Sequence, residues 1–221
     1  ANYDITDVDI ADSPGRLYAK LKENAEFRLL FADRLHEHFF NDGVMVPVSN
    51  QARWNALSAQ VQDAVVAESA RWGDAIRGAP YTRDVEWQDE VDWVHDIFLA
   101  GRTATVLGQF EAIGLYPSVD APEFEVAGTP QHGGGIGASS IGFSTIPSGV
   151  IYYTIDGVDP RAEVAGAVSG SAQSYSTPFL IPTSKLVKAR VLDGGTWSAL
   201  TEAVFLPGTV ADGTTLVVSE I

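Results

Sequence analysis

The stretch Lys185-Leu186-Val187-Lys188-Ala189-Arg190-Val191-Leu192-Asp193-Gly194-Gly195-Thr196-Trp197 decides the fold of the second half of the chain. Val187, Ala189 and Val191 alternate with Lys188 and Arg190. That is the period of a strand with one face in a core and the other in water. The reading keeps the Lys188/Arg190 face wet. Asp193-Gly194-Gly195 then supplies a turn, and Trp197 to Leu206 reads as the returning strand.

Working outward, the same pattern recurs. Phe124-Glu125-Val126, Ser140 to Thr145 and Gly149 to Asp156 read as short strands, the last ending in the turn dipeptide Asp156-Gly157. Alternation places Tyr152, Thr154 and Asp156 on one face and Ile151, Tyr153 and Ile155 on the other, with Tyr153 inward beside Val187, Ala189 and Val191. Thr214 to Ile221 reads as one more strand, which looks truncated. Several short strands between turn signals predict a small antiparallel, Ig/fibronectin-like sandwich.

Residues 1–118 read differently. Their composition is richer in charge and in Trp and poorer in Gly than that of 119–221, the shift from an all-α to an all-β segment. Ser13-Pro14 opens a short helix to about Lys22. Asn24 caps a second helix with Phe27, Leu30, Phe31, Leu35 and Phe39 at three- and four-residue spacing, stopped by Asn41-Asp42-Gly43. A third starts at Ser49 or Asn50 and carries Trp54, Leu57, Val61 and Trp72. Thr82 caps a fourth, with Val85, Val94 and Phe98. A fifth starts near Arg102, with Val106, Leu107 and Phe110, and ends at Gly114 before Pro117. The fold class is therefore α+β in two domains: helical 1–118 and a sandwich over 119–208.

Composition narrows the function. The 221 residues carry a net charge of −15, from 29 acids against 14 bases. That argues against nucleic acid or an anionic membrane surface as main partner, since both call for basic patches. No apolar run approaches the ~20 residues of a membrane span. The absence of cysteine removes disulfides, thiolate zinc sites and thiol nucleophiles together.

The motifs are modest. Gly133-Gly134-Gly135-Ile136-Gly137-Ala138 fits a dinucleotide fingerprint formally, but Ser139-Ser140-Ile141 after it opens no helix, so it reads as a β-loop. His36 and His38, two apart on a helix, point about 200° from each other and cannot share an ion. Asp4, Asp7, Asp9 and Asp12 lack EF-hand spacing and read as a solvated lead-in. Asp84, Glu86, Asp89, Glu90, Asp92 and Asp96 read as a solvated helix face whose first turn suits the helix dipole. Asp156 and Asp159 read as turn residues. No catalytic, metal or cofactor residue is assigned.

Two stretches resemble known families. Asn24-Ala25-Glu26-Phe27-Arg28, Phe31-Ala32-Asp33-Arg34, His38-Phe39-Phe40-Asn41, Glu68 to Asp74 and Gly114-Leu115-Tyr116-Pro117 resemble the C-terminal helical end of the CotH kinase family. The family usually has Pro where this chain has Ala25. Gly149 to Arg161, Tyr175 to Pro178, Val187 to Arg190 and Trp197-Ser198-Ala199 are similar to the chitobiase/β-hexosaminidase C-terminal, GH29D-like sandwich. Leu216 to Ile221 resembles the first strand of a lamin-tail domain, a resemblance that implies 209–221 as the start of a truncated lamin-tail domain.

These resemblances imply a fragment of a secreted or cell-surface multidomain bacterial protein. Its nucleotide- and metal-binding residues would lie upstream of Ala1, so the chain is expected not to be an enzyme by itself, whereas the parent would be an atypical CotH-type kinase. The implied partners are the upstream kinase-like core and the downstream lamin-tail domain of the same parent. The alternative is a carbohydrate- or protein-binding sandwich of an extracellular enzyme, with polysaccharide as partner and Tyr152 and Trp197 as an exposed glycan-stacking pair. Fold-level analogy leaves both open.

Overall fold

The computed structural model describes residues 4–6, 15–144, 146, 148–164 and 166–208. The Ser13-Pro14 helix start, Asp7, Asp9, Asp12 and the strand expected from Thr214 lie outside the described residues. Helices come first and strands second, an α+β chain. Two compact units form: Ala1–Glu37 with Glu111–Ile221, and His38–Phe110. The units cut the chain elsewhere than its composition does, because the second helix belongs with the strands.

In the first unit, α1 (Gly15–Leu21) leads into α2 (Ala25–Phe39). Asn24 caps α2 as expected: its Oδ1 accepts from the N–H groups of Glu26 (2.9 Å) and Phe27 (3.1 Å). Asn41, at φ 53°, turns the chain away just after α2 ends.

The sandwich has two sheets. A three-stranded antiparallel sheet has the order β2 (Thr129–Pro130), β1 (Phe124–Val126), β4 (Ile141–Phe143). The larger sheet runs β3 (Gly134–Gly137), β9 (Thr201–Pro207), β7 (Lys185–Asp193), β5 (Val150–Thr154), β6 (Gln173–Ser174), with β8 (Thr196–Trp197) also on β7. Gly194 and Gly195, at φ 55° and 88°, close the β7–β8 hairpin as a two-residue turn needing positive φ at both positions. The sandwich is not wholly antiparallel. The glycine-rich stretch expected to be a loop is edge strand β3, and it pairs parallel with β9. Nor does Asp156-Gly157 close a tight hairpin, since β5 pairs next with β6 across a long connection.

The core between the sheets holds Phe124, Ile141, Phe143, Ile151, Tyr153, Val187, Ala189, Val191 and Phe205. Tyr153 is inward with Val187, Ala189 and Val191, as alternation requires, and stacks on Phe179 at 4.3 Å. Two expectations for the opposite face fail. Thr154 is fully buried, its hydroxyl donating to the carbonyl of Val158 at 2.5 Å. Arg190 is 1% exposed and does not stay wet.

The second unit contains α3 (Pro47–Trp72) and a continuous helical run over 83–112. Helix α3 starts earlier than Ser49, because Pro47 takes the first helical position, where its missing N–H costs nothing. The run over 83–112 has no break near Arg102. It alternates π-helical Arg83–Trp87, α4 (Gln88–Trp93), π-helical Val94–Leu99 and α5 (Ala100–Ala112). Trp54 Nε1 donates to the carbonyl of Val91 (3.0 Å), and Gln51 to that of His95 (2.9 Å). Such side-chain donors at the carbonyl ladder accompany helix irregularity. At the start of the run, Glu86 reaches back to the Thr82 N–H (2.8 Å) and hydroxyl (3.1 Å), which is the returning half of a capping box shifted by one residue in the wider turn.

This unit lacks the core that its periodicity implies. Val46 is its one buried apolar side chain, while Leu57 (57% exposed), Val61 and Phe98 are open. In the other unit Leu30 is also exposed, whereas Leu35 is buried. Phe27, Phe31, Phe39, Trp54, Val94, Val106, Leu107 and Phe110 are half-buried. Three/four spacing marks an apolar face correctly but does not say what covers it.

Candidate functional site

The sequence nominated Tyr152 and Trp197. Antiparallel pairing of β5 and β7 sets Tyr152 opposite Arg190, and β8 brings Trp197 opposite Leu192. The two rings are neighbours, 5.8 Å apart and tilted by 57°. They are not an open platform. Tyr152 is half-buried, and Trp197 is 7% exposed with its indole N–H donating to the carbonyl of Gly166 at 2.7 Å. A ring hydrogen-bonded and covered in this way presents no free π-face for a sugar, so the exposure expected of Trp197 is corrected.

Beside Tyr152 lies the group that sequence reasoning misplaced. Arg190 has five N–H donors, and all five are used. Nε and Nη2 donate to the two oxygens of Asp159 (2.8 and 2.6 Å). Nη1 and Nη2 donate to the two oxygens of Asp33 on α2 (2.7 Å each), and Nη1 also to the carbonyl of Ser198 (2.9 Å). Burial opposes the arginine's charge, but the two carboxylates more than offset it and raise its pKa. Burial likewise opposes the charge on Asp159, and the hydrogen bonds from Arg190 carry its pKa below the usual carboxylate value. This is a bidentate, fully satisfied buried cluster, the form in which buried charge is tolerated.

The same face of α2 makes two further attachments. Glu26, two helical turns before Asp33, accepts both bonds of a bidentate pair with Arg161 (2.8 and 2.5 Å). The hydrogen bond from Arg161 lowers the pKa of Glu26. His36, one turn after Asp33, is bonded at Nδ1 to the Tyr116 hydroxyl (2.9 Å) and at Nε2 to the Thr201 hydroxyl (2.7 Å). Burial pushes its pKa down to about 4, so the ring is neutral at pH 7. The Tyr116 phenol is pushed upward, also by burial.

Neither Arg190 nor Asp33 was legible as a partner. In β7 the alternation treats Arg190 like Lys188, which does behave as the pattern says and pairs with Glu202 at 2.8 Å on the partly open face. Asp159 and Arg161 flanking Pro160 were the one local signal, since an acid and a base fixed by a bend invite partners. Asp159 also accepts from the backbone N–H of Arg161 (2.8 Å), which ties the two attachment points together.

Elsewhere the acidic helix face is as expected. Asp84 pairs with Arg83, and Asp92 accepts from Gln88. Hydrogen bonds from the Thr82 N–H hold Glu86 down to about 2. His95 sits against Asp96 (2.6 Å), and His132 lies beside the Phe124 ring. Among the described residues no group of three or more His, Asp or Glu could hold a metal ion. An open cleft of about 400 Å³ lies between Gly137-Ala138-Ser139, Leu180-Ile181-Pro182 and Pro207, with no charged residue in its lining.

A family model described as Fn3 associated matches residues 141–204. The matched stretch holds Tyr152, Asp159, Arg161, Arg190 and Trp197, but neither Glu26, Asp33 nor His36. By this match, that stretch is similar to a fibronectin-associated β-sandwich region. Neither the curated proteins nor the solved structures compared with the chain give a match.

Proposed function

We propose that the chain is the helical end of a CotH-type kinase domain joined to an accessory sandwich, within a secreted or cell-surface bacterial protein. In this reading it does no chemistry itself. The observation that carries it is the state of the 38–110 unit, in which Val46 alone among apolar side chains is buried while Leu57, Val61 and Phe98 face water. Helices with a regular apolar face left bare are built to be covered, here by an upstream kinase-like core of the parent. The sandwich has a complete core of its own and serves as a brace rather than a reaction site. Its one fully buried charge, Arg190, has every donor engaged within the chain.

The experiment is calorimetry with ATP and Mg²⁺ or Mn²⁺ on this chain and on one extended upstream to include the kinase-like core. Residues 1–221 alone bind no nucleotide saturably, and the extended chain does. Saturable micromolar ATP binding by residues 1–221 alone overturns the non-catalytic reading. Nucleotide binding by neither overturns the kinase reading.

A further inference from the structure

We propose that the outer face of the sandwich is a receptor for an acidic helix, in which α2 sits as a ligand in cis with Asp33 and Glu26 in two carboxylate cradles.

The cradles belong to the sandwich. Asp33 is held by three donors: both terminal nitrogens of Arg190 (2.7 Å each) and the backbone N–H of Leu200 (2.8 Å). Glu26 is held by the two terminal nitrogens of Arg161. Paired N–H groups of a guanidinium match the two oxygens of a carboxylate, and a third donor from the backbone completes an anion site.

The receptor is organised without the helix. Arg190 keeps three of its five bonds inside the sandwich, two to Asp159 and one to the Ser198 carbonyl. Those three hold the guanidinium in place, leaving the edge that faces Asp33 to take a carboxylate from any source. Asp159 balances one of the two arginines, so the face retains one positive charge for an incoming acid.

The sandwich core is complete without the helix as well. None of the buried apolar residues that form it lies on α2. Helix α2 buries Ala32, Leu35 and His36, with His36 also bonded to the Thr201 hydroxyl of β9 (2.7 Å), and its charged hold on the face is through Glu26 and Asp33. The partner class is therefore a helix presenting two carboxylates seven residues apart on one face. This inference rests on the contacts between α2 and the sandwich and is independent of the kinase-like reading.

The test uses the full chain with Glu26→Lys and Asp33→Lys together, which sets like charges against the two arginines and releases α2 from the cradles. The probe is a fluorescently labelled peptide of residues 24–39. Its control carries E26Q and D33N, and near-UV circular dichroism with amide exchange follows the sandwich core. The expected result is a folded core in the variant and binding of the acidic peptide at least tenfold tighter than to the unaltered chain. The amide control peptide binds at least tenfold more weakly. An isolated 16-residue helix is marginal in water, so the titration runs to millimolar peptide. Loss of the sandwich fold on releasing α2 overturns the proposal, because the helix would then be a core element and not a ligand. Absence of binding to a folded variant overturns it, as does binding indifferent to the peptide's carboxylates or equal binding to the unaltered chain.

Discussion

Asp33 and Arg190 stand 157 positions apart in the chain and meet through two N–H···O bonds of 2.7 Å. One comes from the third turn of a helix and the other from the middle of a strand. Their contact makes α2 part of the same compact unit as the sandwich.

Removing Asp33 takes one of two carboxylates from buried Arg190, removing Arg190 strands both Asp33 and Asp159, and removing both strands Asp159 alone. A double-mutant cycle on Asp33→Ala and Arg190→Met is expected to give a coupling of about 1–3 kcal/mol. The readout is the free energy of opening the α2 amides by hydrogen exchange. Arg190→Met alone is the more damaging substitution, because it strands Asp159 as well as Asp33. Additive effects of the two would mean that the pair is a contact without energetic weight.

His36 gives a pH dependence of definite sign. Its folded pKa, about 4, lies below the ordinary 6.5, so between those values the unfolded chain binds a proton that the folded chain refuses. Stability is full above pH 6.5 and is lost as pH falls toward 4, by an amount of about 3 kcal/mol. His36→Gln keeps a donor and an acceptor without titrating. Urea unfolding followed from pH 7 to 4.5 should slope in the native chain and flatten in the variant. The carboxylates with lowered pKa, Glu26, Glu86, Asp156 and Asp159, contribute mainly below this window.

Trp197 tests whether the aromatic pair is structural. Trp197→Phe keeps most of the packing but leaves the Gly166 carbonyl without its donor, a loss of about 1–3 kcal/mol. Chitin or cellulose oligosaccharides at millimolar concentration should leave the unfolding midpoint of the native chain unmoved. A midpoint that rises with sugar concentration, and does not in the variant, would restore the glycan reading.

Two glycines separate backbone strain from steric clash. Gly128 and Gly149 both have positive φ, 77° and 86°. A Cβ at Gly128 meets nothing, so Gly128→Ala costs only the left-handed backbone, about 1–2 kcal/mol. At Gly149 it would lie 2.8 Å from the Leu192 carbonyl oxygen and 2.9 Å from Asp193 and Val191. Gly149→Ala should therefore cost clearly more by urea unfolding, and equal losses would place the β5–β7 approach wrongly.

The bare helical face predicts dye binding. Leu57→Gln with Val61→Gln should lower the fluorescence of a hydrophobic-surface dye while changing stability by less than about 0.5 kcal/mol, because both side chains are already in water. A loss of several kcal/mol would mean that they are buried in the protein in solution.

Local chemistry was legible in the sequence wherever one element suffices to decide it. Asn24 caps α2 because the side chain and the N–H groups it serves lie within three residues. Gly194-Gly195 turns β7 into β8 because only glycine takes two positive φ values cheaply. Tyr153, Val187, Ala189 and Val191 share the core because a strand alternates whatever it packs against. What alternation cannot decide is the nature of the other face. Lys188 and Arg190 occupy equivalent positions, yet one stays partly open beside Glu202 and the other is enclosed by Asp33 and Asp159. Only the tertiary structure chose between them, because burying a guanidinium depends on two carboxylates arriving from distant segments, one across 157 positions and one across 31. Trp197 went the same way, its exposure removed by a carbonyl at Gly166 with which it has no local relation. Periodicity is set by the backbone within an element. Charge burial is set by what the remainder of the chain brings to it.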